Sequence, residues 1–441
     1  MKCLIWVLLL TFSLTINAQQ SNYTTPECEV INGIDDNNQN KKFIQGLDNW
    51  LFTEKQLSVN TEISDDAASM LAELNQQFKK RGSTLILVPV PRRNIVYPHK
   101  IPVSANFDFE IAKNKYLDHI TTLKQLGLHV ADLTSMFSTK QSQLFFKRDF
   151  HWRPEGAKVT ANLIKEYVKD LPVYQQIKKQ QVLTHSNGIY GLESKLQKRF
   201  KIHCQDQGYP KEYHKLYQNV SSDSEAENAL FEEDEISDVV LLGTSFSAIP
   251  RLHFAGFLSE AMQAGVDNYS VAGGGLVVAL TQYVHSTEFK NNPPKLIIWE
   301  YPATNIKASM FALALPKLED KSCDLDSVIS TNVQLKLGEN IVAYNGGEDF
   351  KKMKQKQLLF DVNFGNKAVK EFKLTTHFVE NRKINRKIGH SRLQEMDGHF
   401  LFDPSVITAE QELHFLALAI NVTDPEWVGT KVTTKVCSKE L

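Results

Sequence analysis

Three continuous apolar runs limit what this chain can fold into. They are "TLILVPVP" at 84–91, the core of "DVVLLGTSFS" at 238–247 and the core of "PKLIIWEYP" at 294–302. Each is short and unbroken rather than alternating, the pattern of a strand buried on both faces. Helical segments lie between them. Residues 65–81, "DDAASMLAELNQQFKKR", have helical period, with Asp65 or Asp66 as the expected cap, basic residues in the last turn and Gly82 as the stop. A second helix is expected over about 108–125, before Gly127 and the strand "LHVADL". In "PEGAKVTANLIKEYVKDL", Pro154 stands in the first turn, where its missing N–H costs nothing. "DNYSVAGGGL" at 267–276 reads as a further strand running into glycines. Alternating strands and helices predict an α/β domain with a mainly parallel sheet, whose sites form outside the carboxyl ends of the strands.

The two ends of the chain read differently. Residues 1–20, "MKCLIWVLLLTFSLTINAQQ", have a basic start, an apolar run too short to span a membrane and a small-residue exit at Ile16-Asn17-Ala18. A cleaved export leader over residues 1–18 and a soluble exported protein are expected. From about Cys323 the runs become short and alternating, separated by Asn-Gly-Gly and Gly-Asn turns, the texture of a small all-β module. The expected domains are therefore 19–322 and 323–441. Beyond Cys3, an even set of cysteines remains: Cys28, Cys204, Cys323 and Cys437. In an oxidising compartment these read as disulfides. Of the three possible pairings, Cys28–Cys204 with Cys323–Cys437 closes two consecutive loops and fits two sequential domains.

A net charge of −1 argues against a nucleic-acid partner. Locally, residues 351–392 hold 12 Lys and Arg against three acids, a basic face suited to a polyanion. Residues 221–238 are acidic and weakly apolar, as in a surface loop.

The chemistry concentrates in "RDFHWRP" at 148–154. In an extended segment, Asp149 and His151 would project to the same side. Ser245, just past a buried strand in Gly243-Thr244-Ser245-Phe246-Ser247, is the candidate third member. A serine hydroxyl needs an adjacent base, which His151 can be, with Asp149 holding the imidazole tautomer. A loop-capping aspartate and a satisfied histidine would give the same two letters. No equally placed third ligand accompanies the pair, so no metal or other cofactor is expected. Trp152 and Trp299 read first as core packing, with apolar platforms near the site as the alternative.

The segments "RDFHWRPEGA", "LLGTSFS", "GLDNWLF" and "IIWEYP" together resemble the AlgX/AlgJ family of periplasmic alginate O-acetyltransferases. The resemblance runs from about residue 40 to 305, and the β-module and cysteine layout extend it toward the AlgX type. It implies an SGNH-hydrolase-like domain followed by a carbohydrate-binding module, with Asp149, His151 and Ser245 as a catalytic triad. It also implies a periplasmic location, an anionic alginate-like polysaccharide acceptor acetylated through an acetyl-serine, and a membrane-bound partner that supplies acetyl groups. Oxyanion donors are expected from the Ser245 N–H and Gly273, Gly274 or Gly275, with Asn305 as a side-chain candidate. In the module, Lys373, Thr375 and His377 match a polymer-binding strand of the family. His377 stands where the family has a tryptophan, and Arg382 and Lys383 offer the following basic contact. An esterase or deacetylase with the same triad, or a non-catalytic scaffold of a secretion complex, remain the alternatives.

Overall fold

The computed structural model describes residues 32–34, 40–138, 143–204, 208–221, 237–323, 327–346, 353–354, 357–394, 396–406 and 412–439. The expected leader, Cys28 and most of the acidic stretch lie outside them. Five strands form the central sheet: β1 (Thr84–Val90), β2 (His129–Val130), β3 (Val239–Leu242), β4 (Asp267–Asn268) and β5 (Leu296–Pro302). Their order is β2-β1-β5-β3-β4 and every pairing is parallel. The α/β expectation holds, although two of the expected strands shrink to two residues each.

The apolar runs are unbroken because the sheet is covered twice. Ile86, Val88, Val239, Leu241 and Ile298 face one core, under helices α3 (Pro154–Val168) and α4 (Phe254–Met262). The intervening Leu85, Leu87, Val240, Leu242, Ile297 and Trp299 face the other, under α1 (Asp65–Lys80), α2 (Phe109–Gln125) and α5 (Val278–His285). Each fully buried aliphatic side chain contributes roughly 1.5–3 kcal/mol, so neither face tolerates a polar residue without a partner. Ser64 caps α1 by accepting from the Ala67 N–H at 3.3 Å. Asp65 and Asp66, the caps expected from the sequence, instead occupy the first turn, where their charge favours the helix dipole. No described helix is long and apolar enough to cross a membrane.

A long antiparallel hairpin, Val182–Leu192 paired with Glu212–Ser221, has no counterpart in the sequence reading. Most of its first strand is exposed, so it lacks an apolar face to announce it. It matters because it carries Glu212 to the site described below.

The carboxy-terminal module is a β-sandwich. Its strands are β6 (Ser327–Gln334), β7 (Gly338–Tyr344), β8 (Leu358–Asn363), β9 (Glu371–Phe378), β10 (Lys383–Gly389), β11 (His399–Phe402), β12 (Phe415–Val422) and β13 (Lys431–Ser438). They form two antiparallel sheets, β6-β13-β8-β11 and β7-β12-β9-β10. Phe360, Phe372, Phe400 and Phe415 fill the space between them, and Val278 of α5 joins the same cluster, packing the module onto the α/β domain. Cys323 and Cys437 form a disulfide across 114 residues beside buried Leu359 and Leu401. Cys204 is also disulfide-bonded; Cys28, its expected partner, lies outside the described residues.

Candidate active site

Ser245 starts a one-turn helix, Ser245–Ala248, directly after β3. The turn between them is held from below by Glu300 on the neighbouring β5. The Glu300 carboxylate accepts from the Thr244 N–H at 2.9 Å, the Thr244 hydroxyl at 3.1 Å and the Ser247 hydroxyl at 2.7 Å. Gly243 is required here for space: a Cβ would lie 2.6 Å from Glu300 Oε2 and 2.7 Å from Ser247 Oγ. Glu300 is fully buried, and burial lifts its pKa from 4.5 to about 7 despite the three donors.

The sign of that shift makes a prediction. From pH 4.5 up through about 7, the folded state keeps a proton that the unfolded chain has released, so stability falls across this window. Glu300→Gln removes the dependence. Acidifying from about pH 7.5 to about pH 5 should stabilise the wild type relative to Glu300→Gln, by on the order of 3 kcal/mol. Urea unfolding of both proteins at the two pH values measures this; parallel responses would contradict it.

Asp149 and His151 come together through a tight turn, not through the side-alternation of an extended strand. Phe145 and Trp152 form an antiparallel bridge, with the Phe146 N–H on the His151 carbonyl at 3.2 Å. At the tip, Asp149 Oδ1 accepts from both the His151 backbone N–H at 3.0 Å and its Nδ1–H at 2.5 Å. That bond leaves Nε2 as the acceptor nitrogen. Ser245 Oγ lies 2.7 Å from it. Both loop residues are buried. Burial pushes the Asp149 carboxyl up, but the bonds and charge of His151, together with the Arg93 charge, outweigh it and hold the pKa below the usual range. Phe150, half exposed, lies over the imidazole with ring centroids 4.0 Å apart.

Three buried groups set this loop in place. Arg93, just past β1, donates to the carbonyls of Leu51, Phe146 and Lys147 and to Gln56 Oε1. Glu212 of the long hairpin accepts from the Lys147 and Arg148 backbone N–H groups, each at 2.9 Å. Trp152 donates its indole N–H to the Phe246 carbonyl at 3.1 Å, tying the Asp-His turn to the serine helix. Trp152 and Trp299 are completely buried, so both are core residues and neither is a platform. The sequence reading did not single out Arg93, Glu212 or Glu300. For Glu300 a signal existed, since a lone carboxylate inside an apolar strand must be buried against donors.

The Ser245 N–H opens its helix and meets no acceptor among the described residues. Ladder bonds continue past β4, from the Tyr269 N–H to Leu241 O at 2.9 Å and from the Val271 N–H to Gly243 O at 3.0 Å. They lead the chain alongside the serine turn into Gly273-Gly274-Gly275, where Gly273 and Gly275 have φ of 78° and 67°. A Cβ on Gly273 would lie 3.6 Å from Arg392 Nε, so the module reaches this turn. Asn305 lies past β5 and accepts from the Thr304 hydroxyl at 3.5 Å; no hydrogen bond joins it to Ser245 among the described residues.

On the module, Lys373, Thr375 and His377 share one face of β9, while Phe372, Leu374, Thr376 and Phe378 point inward. The Thr375 hydroxyl donates to Asn385 Oδ1 at 2.7 Å, and His377 pairs with Glu339 at 3.0 Å. Lys383 stands opposite His377 on β10, and Arg382 lies in the turn just before it.

Residues 43–303 match the model of the SGNH hydrolase-like domain of the acetyltransferase AlgX, and residues 322–441 match a C-terminal carbohydrate-binding module. The alginate biosynthesis protein AlgX of Pseudomonas aeruginosa is 30% identical over 403 residues, spanning 89% of this chain and 84% of that protein. A probable alginate O-acetylase AlgJ of Pseudomonas syringae is 27% identical over 278 residues, spanning 60% of this chain and 69% of its own. The solved structure of Pseudomonas aeruginosa AlgX superposes with a TM-score of 0.76 at 28% identity, covering 90% of this chain and 94% of that one. On the extent of these matches, the chain belongs to the AlgX family of SGNH hydrolase-like proteins.

Proposed function

We propose that the chain is an O-acetyltransferase that places acetyl groups on hydroxyls of an exported, alginate-like polysaccharide through an acetyl-Ser245 intermediate. The observation that carries this reading is the unbroken hydrogen-bond chain Asp149–His151–Ser245 at the carboxyl end of the sheet. His151 Nε2 takes the Ser245 proton as Oγ attacks the acetyl carbonyl, and returns it to the leaving group of the donor. A sugar hydroxyl then yields its proton to Nε2 and attacks the acetyl-serine. The sugar oxygen–acetyl bond forms, the Oγ–acetyl bond breaks, and Ser245 regains a proton from His151. Asp149 holds the tautomer and stabilises the imidazolium. The Ser245 N–H, with an N–H of the Gly273–Gly275 turn, serves the oxyanion.

Esterases share this machinery, so the acceptor decides the reaction class. The basic face bearing Lys373, Thr375, Arg382 and Lys383 favours transfer, because a bound anionic polymer keeps hydroxyls near the acyl-enzyme. The printed names of the relatives, an alginate biosynthesis protein and a probable alginate O-acetylase, support the same polymer. The export leader expected at residues 1–18 supports a periplasmic reaction, and the proposed acetyl source is a membrane-bound partner. The test incubates mature protein with a chromogenic acetyl ester and mannuronate oligomers and follows oligomer mass. Acetyl mass gain that requires Ser245 is the expected result. Ester cleavage without mass gain would make the chain an esterase, and oligomer binding without either reaction would make it a scaffold.

A further inference from the structure

His377 stands at the position where an aromatic platform was expected, and it is engaged by Glu339. A cleft on the same module offers a different aromatic. It has a volume of about 260 Å³ and lies between β9, β10 and the loop after β12, lined by Trp427, Lys373, Lys387, Glu371, Asn421 and Asp424. Trp427 closes the short turn Pro425–Trp427 and braces edge-on against Phe364, with centroids 5.7 Å apart. Its indole N–H has no partner among the described residues and is not buried.

The polar walls of the cleft are unevenly satisfied. Lys387 is neutralised by Glu371 at 2.8 Å. The second Glu371 oxygen, Oε2, is buried and meets no hydrogen-bond donor among the described residues, so it is closed to a ligand. Asp424 Oδ1 already accepts from the Glu426 N–H at 3.0 Å. Lys373 has no ion-pair partner among the described residues, so one positive charge stays uncompensated.

We propose that this cleft is a subsite for one uronic-acid residue of the polysaccharide, with the sugar ring laid on Trp427. The sugar carboxylate pairs with Lys373. The volume suits a single pyranose rather than a larger ligand. A neutral sugar would leave Lys373 without a counter-charge. The subsite rests on the anionic-polysaccharide reading above, but its test does not depend on acetyl transfer.

Trp50, Trp152 and Trp299 are at most 2% exposed, so Trp427 is the one tryptophan among the described residues that a quencher can reach. Mannuronate oligomers titrated into mature protein should shield its fluorescence from acrylamide, and neutral cello-oligosaccharides should not. Trp427→Ala should weaken oligomer binding by about tenfold or more, as expected for losing one aromatic anchor. Trp427→Phe should retain most of the affinity. Lys373→Ala, at an exposed position that leaves the fold untouched, should weaken binding and flatten its salt dependence. Oligomers that bind without shielding Trp427, wild-type affinity in Lys373→Ala, equal shielding by neutral oligomers, or no oligomer binding at all would each overturn the subsite. If oligomers shield Trp427 but accept no acetyl group, the subsite stands and the transferase reading falls.

Discussion

Ser245→Ala is expected to lower acetyl transfer by about 10⁴- to 10⁶-fold while leaving the fold and oligomer binding intact. The loss is large on the proposed mechanism, in which Ser245 Oγ, held 2.7 Å from His151 Nε2, carries the acetyl. The fold survives because the turn is built by its neighbours. Thr244 and Ser247 bind Glu300, and Gly243 makes room for them. Transfer to mannuronate oligomers, read by mass, and the melting temperature of the same preparation check both halves. Residual transfer within tenfold of wild type would remove Ser245 from the mechanism, and a collapsed melting temperature would make the loss uninformative about chemistry.

Asp149→Asn should cost about 10⁴-fold in turnover with little change in structure. The asparagine oxygen can still accept from the His151 backbone N–H, the bond that shapes the turn at 3.0 Å. The same oxygen accepts from Nδ1–H, so it can keep the tautomer as well as the turn. A neutral amide, however, cannot stabilise the imidazolium that forms when His151 takes the Ser245 proton. Loss of turnover with unchanged oligomer affinity supports this role. Turnover within tenfold of wild type would reduce Asp149 to a loop cap, the bland alternative that the sequence left open.

The sequence was informative wherever the relevant interaction was local or periodic. The unbroken runs at 84–91, 238–247 and 294–302 meant strands covered on two faces, and Ile86 and Leu87 do pack into opposite cores. The change of texture near Cys323 marked the sandwich. Lys373, Thr375 and His377 share a face because a strand has period two. Where the reading failed, the decisive contact was distant. Ser64 caps α1 ahead of two equally plausible acids, because a cap depends on where the chain enters the helix. The long exposed hairpin left no apolar pattern, yet its Glu212 orients the backbone at Lys147 and Arg148.

The residue types of the site, and the pairing of Asp149 with His151, were determined by the sequence itself. Two positions apart, those side chains meet through a turn whose bonds are all local. The approach of Ser245, 94 residues further on, was decided by the tertiary structure. So were the buried Glu300 beneath it, Arg93 behind the loop and the Trp427 cleft on the module. Each of these depends on strand order and packing, since a buried charge is stable only where the whole fold has already gathered its partners.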